Sequence, residues 1–303
     1  MEITIVGGGS FGKAIAHILP NPRIAELERD GSYSNKTQQA ISDADVLILA
    51  VPSEALKSCL KMIKPLVSDK AKIISCMKAL YYKTDLHTPS MMIRRELDKD
   101  CAVLVGGNIA EEIRQDIPTK AWMAGPKWIE KIIPHFKTDN FVAVEGEDIM
   151  GLEFGAAAKN MLSITAGLIE GAYGKSSCNA KAATMAKMIE ELKTTYRRIS
   201  ADKGKTRNIP SEPFLADVIA TCTSEHSRNR TFGKQIGRKV KKKGVKEIYE
   251  QMGTVEGYDT TKAIYEYITD KHVYAPTIKS LYKVLYRKAK IATLTEWLKN
   301  EDT

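Results

Sequence analysis

The chain is short of several things, and each shortage excludes something. Cysteine is scarce: five in 303 residues, at 59, 76, 101, 178 and 222, with no CxxC pair and no metal-ligand spacing. An odd, scattered set makes neither a complete disulfide framework nor a zinc site, so a reducing compartment and no bound metal are the expectation. Long hydrophobic runs are absent. The most apolar windows, such as 161–169, are flanked by Lys159 and Glu170 and fall far below the roughly 20 residues of a membrane span. Met1 runs almost directly into an apolar strand with no basic leader or cleavage site, so no secretory signal is expected and a cytoplasmic location is. Low-complexity linkers and internal repeats are missing too. A hydrophobic content of 43% beside 27% charged residues then describes a folded chain rather than a disordered one. Acidic residues are outnumbered, 37 against 46 Lys and Arg, and the net charge of +9 favours an anionic partner. A phosphorylated metabolite, a nucleotide and a nucleic acid all fit that description.

What is present changes character near residue 147. Before it, short apolar runs alternate with helix-length segments: 2–6, 45–52, 72–76, 102–105, 121–124 and 141–144. Such alternation predicts a doubly wound α/β sheet, and its near-continuous apolar strands are those of a sheet buried on both faces. After it the strand-like runs cease, and segments 151–171 and 180–200 predict long helices; residues 265–295 read as two closing helices. The expected organisation is a Rossmann-type domain, 1–147, followed by an all-helical substrate domain, 148–303.

Within the first part, Gly7, Gly9 and Gly12 fit G-x-G-x-x-G between a strand and a helix, with Ser10 and Phe11 inside the motif. There the first glycine permits a tight turn and the second lets the backbone approach a pyrophosphate. The third lets helix and strand pack closely, so NAD or NADP is the expected cofactor. The ribose-binding position, roughly twenty residues on, falls in a segment carrying both signs: Glu28 and Asp30 against Arg29, with Lys36 behind. A carboxylate there suits NAD and a base suits NADP, and the residues leave both open. Pro52 and Lys78 stand just past two of the apolar runs, and Gly106, Asn108 and Ala110 stand at another strand-to-helix turn. In the second part Lys159 interrupts a helix of small and apolar residues, where a lysine is costly to bury without a partner or a role. Ser227-Arg228-Asn229-Arg230 groups a hydroxyl, an amide and two guanidinium forks, donors that suit a phosphate.

In order, Gly7–Gly12, Val51-Pro-Ser53, Lys78-Ala-Leu80, Gly106–Glu112, Gly155–Asn160, Asp217–Gly233 and Val255-Glu-Gly257 resemble NAD(P)-dependent glycerol-3-phosphate dehydrogenases of bacterial and archaeal type, over nearly the whole chain. The resemblance implies reduction of dihydroxyacetone phosphate to sn-glycerol 3-phosphate by NADH or NADPH, serving phospholipid synthesis or glycerol metabolism, in a homodimer. It also implies roles. Lys159, Lys78 and Asp217 would be catalytic. Lys78, Gly106, Asn108, Asp217, Ser227, Arg228 and Asn229 would hold the substrate. Gly7, Gly9, Ser10, Phe11, Gly12, Arg29, Pro52, Lys78, Ala110, Arg228 and Glu256 would hold the cofactor. Arg230 and the lysines beyond Gly233 are left as surface. The chain departs from the family in Ala79, Gly107 and Phe214-Leu-Ala216, and in a short segment before Val46. Three other readings stand beside this one. A hydroxyacid or ketopantoate reductase has the same two-part organisation, though the Ser-Arg-Asn-Arg block argues against it. A nucleic-acid binder using the basic run 228–246 is opposed by the lack of any recognised module, and a catalytically lost regulator by the presence of Lys78, Lys159 and Asp217.

Overall fold

The computed structural model describes residues 1–239 and 244–299; Lys241, Lys242 and Lys243 of the basic run lie outside them. Strands β1 (Ile3–Val6), β2 (Arg23–Ala25), β3 (Val46–Leu49) and β4 (Lys72–Ser75) are followed by a small pair, β5 (Tyr81–Tyr82) and β6 (Leu86–His87). Strands β7 (Cys101–Val105), β8 (Thr119–Ala124) and β9 (Phe141–Glu145) complete the set. Seven of them form one sheet in the order β2-β1-β3-β4-β7-β8-β9. Every neighbouring pair is parallel except β7 and β8. All residues of β1, β3 and β7 are buried, as continuous apolar strands covered by helices should be. The strand order reverses at β1, between β2 and β3, and in such sheets ligands bind outside the carboxyl ends of the strands at that point. Gly7, Pro52, Lys78 and Gly106 all follow carboxyl ends of strands in this sheet.

Two compact units emerge: Met1–Ala79 with Thr88–Glu153, and Leu80–His87 with Phe154–Thr303. The β5–β6 hairpin thus belongs with the helices, where Tyr82 meets Tyr267 edge-on at 6.5 Å and Lys203 pairs with Asp85 at 2.6 Å. A two-residue strand pair carries too little periodicity to be seen in sequence. In the second unit the main helices are Ile149–Tyr173 (from Phe154 onward), Cys178–Asp202, Ser211–Thr223, Arg228–Lys239, Val245–Met252, Glu256–Asp270 and Pro276–Arg287. Where two closing helices were expected over 265–295, there is one. Tyr265 lies in the preceding helix, His272 takes a left-handed φ of +55°, and after Lys288 (φ +57°) the helices among the described residues are short 3-10 turns. Glu191, 5% exposed, takes the Thr277 and Ile278 amides at 3.0 Å each, capping the Pro276–Arg287 helix from another element.

A second buried carboxylate has a measurable consequence. Glu153 is fully buried and accepts the Ser90 amide at 2.8 Å and the Ser90 hydroxyl at 2.5 Å. Burial pushes its carboxyl up, with the Ser90 and Thr88 bonds opposing, to about 7. A raised carboxyl stabilises the fold below its unfolded value, and that contribution is lost as pH rises through about 7. Glu153→Gln, which mimics the protonated form, should therefore gain on the wild type between roughly pH 4.5 and 7, by on the order of 3 kcal/mol. Urea unfolding at several pH values measures it; a constant difference between the two proteins refutes it.

Candidate active site

At the end of β1 the backbone turns at Gly7, whose φ of +109° is strained for any residue with a side chain. The turn lies tight against the loop after β3: a side-chain carbon on Gly7 would stand 2.5 Å from the Ala50 carbonyl. One on Gly12 would run into the Gly7 carbonyl, so the Ser10–Ile18 helix sits directly on the turn. Phe11 packs its ring on the sheet core. Gly9 is different, with open space on its side-chain side out to 4 Å. It caps the Ser10–Ile18 helix with no side-chain hydrogen bond, and the first turn holds no acid. Backbone N–H donors and room to reach them fit the pyrophosphate of a dinucleotide.

Of the expected cofactor residues in this unit, Arg29 lies beyond the end of β2. Strand β2 is only three residues long and ends where the Gly7 amide takes the Ala25 carbonyl at 3.0 Å. The chain then enters a turn closed by Gly31 N–H to the Glu28 carbonyl at 3.0 Å, and Arg29 is exposed within it. Glu26 is the residue at the strand end, its carboxylate lying over Gly8. Its distance from Gly7, roughly twenty residues, is the signal for it in the sequence.

After β4, the half-buried Lys78 donates to the Gly106 carbonyl at 2.8 Å. Gly106 has a φ of +150°, which a residue with a side chain would rarely adopt. Next to it, Asn108 is 8% exposed, and neither its amide nitrogen nor its oxygen has a partner among the described residues. A buried amide left this way costs about 1–3 kcal/mol unless a ligand satisfies it. Ala110 opens the short Ala110–Arg114 helix, and Pro52 opens the 3-10 turn Ser53–Ala55.

The helical unit supplies a separate constellation. Lys159, 8% exposed, stands 3.0 Å from Asp217 Oδ1 and donates to Thr221 Oγ1 at 2.5 Å. Thr221 in turn donates to Asp217 Oδ1 at 3.3 Å. Asp217 and Thr221 are four apart on the Ser211–Thr223 helix, so both face the same lysine. Thr221 had no role in the sequence reading, and its spacing from Asp217 was the available signal. One turn further along the long helix, Ser163 bonds Ser227 hydroxyl to hydroxyl at 2.8 Å.

Asn229 is buried and committed at both ends. It donates to Asn160 at 2.9 Å and accepts the Gly257 amide at 3.0 Å, while Asn160 donates to Glu256 at 3.1 Å. Asn229 and Glu256 thus tie three helices together. Arg228 begins the Arg228–Lys239 helix, exposed, with one Nη held by the Met252 carbonyl at 2.5 Å. Arg230, expected on the surface, is instead structural. It pairs at 2.7 Å with Glu170, whose side chain is 1% exposed, and Lys234 pairs with the same carboxylate at 2.7 Å. Burial raises the Glu170 carboxyl, but the Lys234 and Arg230 bonds outweigh it and hold it near 2. The departure at Phe214 is a packing exchange, its ring covering Gly155 at 3.2 Å from where a side-chain carbon there would sit.

Comparison with known proteins accounts for both halves. Residues 23–127 match the family model for the NAD-dependent glycerol-3-phosphate dehydrogenase N-terminus, and 148–296 that for its C-terminus. The chain is 31% identical over 318 residues to the glycerol-3-phosphate dehydrogenase of Clostridium botulinum (strain Alaska E43 / Type E3), covering 95% of this chain and 93% of that one. It is 29% identical over 331 residues to that of Bacillus subtilis (strain 168), covering 98% and 93%. The crystal structure of glycerol-3-phosphate dehydrogenase from Coxiella burnetii superposes with a TM-score of 0.85 at 23% identity, over 99% of both chains, and so shares the fold. No helix among the described residues is long and apolar enough to cross a membrane. With both family models matched in order, the chain belongs to the NAD-dependent glycerol-3-phosphate dehydrogenase family.

Proposed function

We propose that this protein reduces dihydroxyacetone phosphate to sn-glycerol 3-phosphate, reversibly, with NADH or NADPH. The observation that carries the reading is the buried Lys159–Asp217–Thr221 cluster, a cation held ready in a family of dehydrogenases. The cofactor, when bound, supplies the hydride. Gly7, Gly9, Ser10, Phe11 and Gly12 are the residues to hold its pyrophosphate. Lys159 hydrogen-bonds the ketone oxygen, stabilises the negative charge that develops there and returns a proton to it. Asp217 and Thr221 fix the direction of the lysine, so little reorganisation is needed as charge appears. In the first unit, Lys78, held by the Gly106 carbonyl, and the unsatisfied amide of Asn108 are the polar groups offered to a ligand at the strand ends.

Arg228 is the phosphate grip in this reading. Its helix-start position and exposed fork support that role, and Ser227 and Asn229 keep the helix start in place. Remote binding energy from the phosphate then orients the carbonyl. Nicotinamide oxidation with dihydroxyacetone phosphate, set against a panel of keto acids, tests the function itself: faster turnover of a keto acid overturns it. Arg228→Ala should lower kcat/KM for dihydroxyacetone phosphate by roughly 10²-fold. The same change should leave the slow reaction of unphosphorylated dihydroxyacetone within about twofold. Equal losses on both substrates remove Arg228 from phosphate recognition.

A further inference from the structure

The glycine turn and the end of β2 meet at one carboxylate. The Gly7 amide takes the Ala25 carbonyl at 3.0 Å, which brings the next residue, Glu26, alongside the loop. A side-chain carbon placed on Gly8 would overlap the Glu26 carboxylate and lie 2.5 Å from its Cγ. Glu26 is exposed, and among the described residues its carboxylate makes no hydrogen bond or ion pair. It is therefore an acceptor left available beside the loop that fits a pyrophosphate. Arg29, the base of that segment, lies beyond it in the 28–31 turn.

In sheets of this kind an acidic residue at the end of the second strand accepts hydrogen bonds from the adenosine ribose hydroxyls. A 2′-phosphate brought to the same place sets two negative charges against each other, and like charges forced together reject a ligand more sharply than a missing contact does. We propose that Glu26 is the residue that sets cofactor choice in this chain, selecting NAD(H) over NADP(H). The assignment rests on the dinucleotide-binding reading of Gly7–Gly12.

Direct titration of NADH and of NADPH, by cofactor fluorescence without substrate, tests it in the wild type and in Glu26→Ser. The wild type should bind NADH at least about tenfold more tightly than NADPH. Glu26→Ser should weaken NADH by roughly tenfold while NADPH holds or tightens, so the preference collapses. Glu26 is exposed, so the variant should melt with the wild type, and the melting curve confirms that the titrated protein is folded. Equal affinities in the wild type, or equal losses for both cofactors in the variant, overturn the assignment. Failure of the folded wild type to bind either cofactor overturns the dinucleotide site itself, and is told apart from the other outcomes by the absence of any titration.

Discussion

Lys159→Met should lower kcat with dihydroxyacetone phosphate by at least about 10³-fold while leaving the affinity for nicotinamide cofactor, measured directly, within about twofold. Two contributions are lost together. One is the charged donor to the oxygen that gains negative charge, which alone accounts for about 10²–10³ in comparable sites. The other is proton return to that oxygen, typically another 10²–10⁴. They are not independent, because the same Nζ does both, so the product is an upper limit. The cofactor residues proposed above, Gly7 to Gly12, lie in the other compact unit, which is why binding is expected to survive.

The substitution also has a structural side that must be separated from the chemistry. Asp217, with its side chain 2% exposed, would lose its ammonium partner at 3.0 Å and keep the Thr221 hydroxyl at 3.3 Å. Breaking a buried pair by removing one partner destabilises by roughly 3–5 kcal/mol. A Lys159→Met, Asp217→Asn double variant removes the stranded charge and should regain much of that stability. It should regain none of the activity. An enzyme with Lys159→Met that keeps more than about a tenth of kcat, or a double variant that recovers turnover along with stability, excludes the lysine from the reaction.

How much of this was legible in the sequence divides by the physics of each signal. Strands buried on both faces appear as apolar runs, so β1, β4, β7, β8 and β9 could be read within a residue or two, while the run 45–52 continues past the end of β3 at Leu49. The glycine turn was legible because its spacing reflects backbone geometry that few residues satisfy. Lys159 stood out because a charge among small apolar neighbours has to be explained. What could not be read was pairing across distance. Nothing local marks Glu170 as the partner of Arg230 and Lys234, sixty residues and more away, so Arg230 looked like surface. Nor does anything local show that the Asn229 amide bonds Asn160 and Gly257, which lie on two other helices. The end of β2 could not be read either, because the strand stops at its third residue, where the Gly7 amide takes the Ala25 carbonyl, and no pattern within the segment marks that point.

Gly233→Ala should destabilise the protein by about 3 kcal/mol and, in the folded fraction, raise KM for dihydroxyacetone phosphate. By propensity alone the change favours the helix, since alanine in a helix interior gains about 1 kcal/mol over glycine. Contact geometry opposes it. The helices Ile149–Tyr173 and Arg228–Lys239 cross at four glycines, Gly167 and Gly171 on one and Gly233 and Gly237 on the other. A side-chain carbon on Gly233 would collide with the Ile164 carbonyl and stand 2.9 Å from the Leu168 amide. One on Gly237 would stand 2.5 Å from the Leu168 carbonyl, and one on Gly171 2.9 Å from the Gly237 Cα. These obstacles are backbone, which cannot rotate aside as a side-chain tip can, so the helices have to separate. Separation reaches the site because Ser227 and Asn229, at the start of the second helix, bond to Ser163 and Asn160 on the first. Lengthening those bonds shifts Arg228 from its place, and a displacement of an ångström in a positioning group is enough to weaken binding and turnover. Thermal or urea unfolding gives the stability change, and steady-state kinetics well below the melting temperature give the KM. A Gly233→Ala protein as stable as the wild type shows that the crossing has slack at this position, and normal KM alongside lowered stability shows that the helix start is held independently of it.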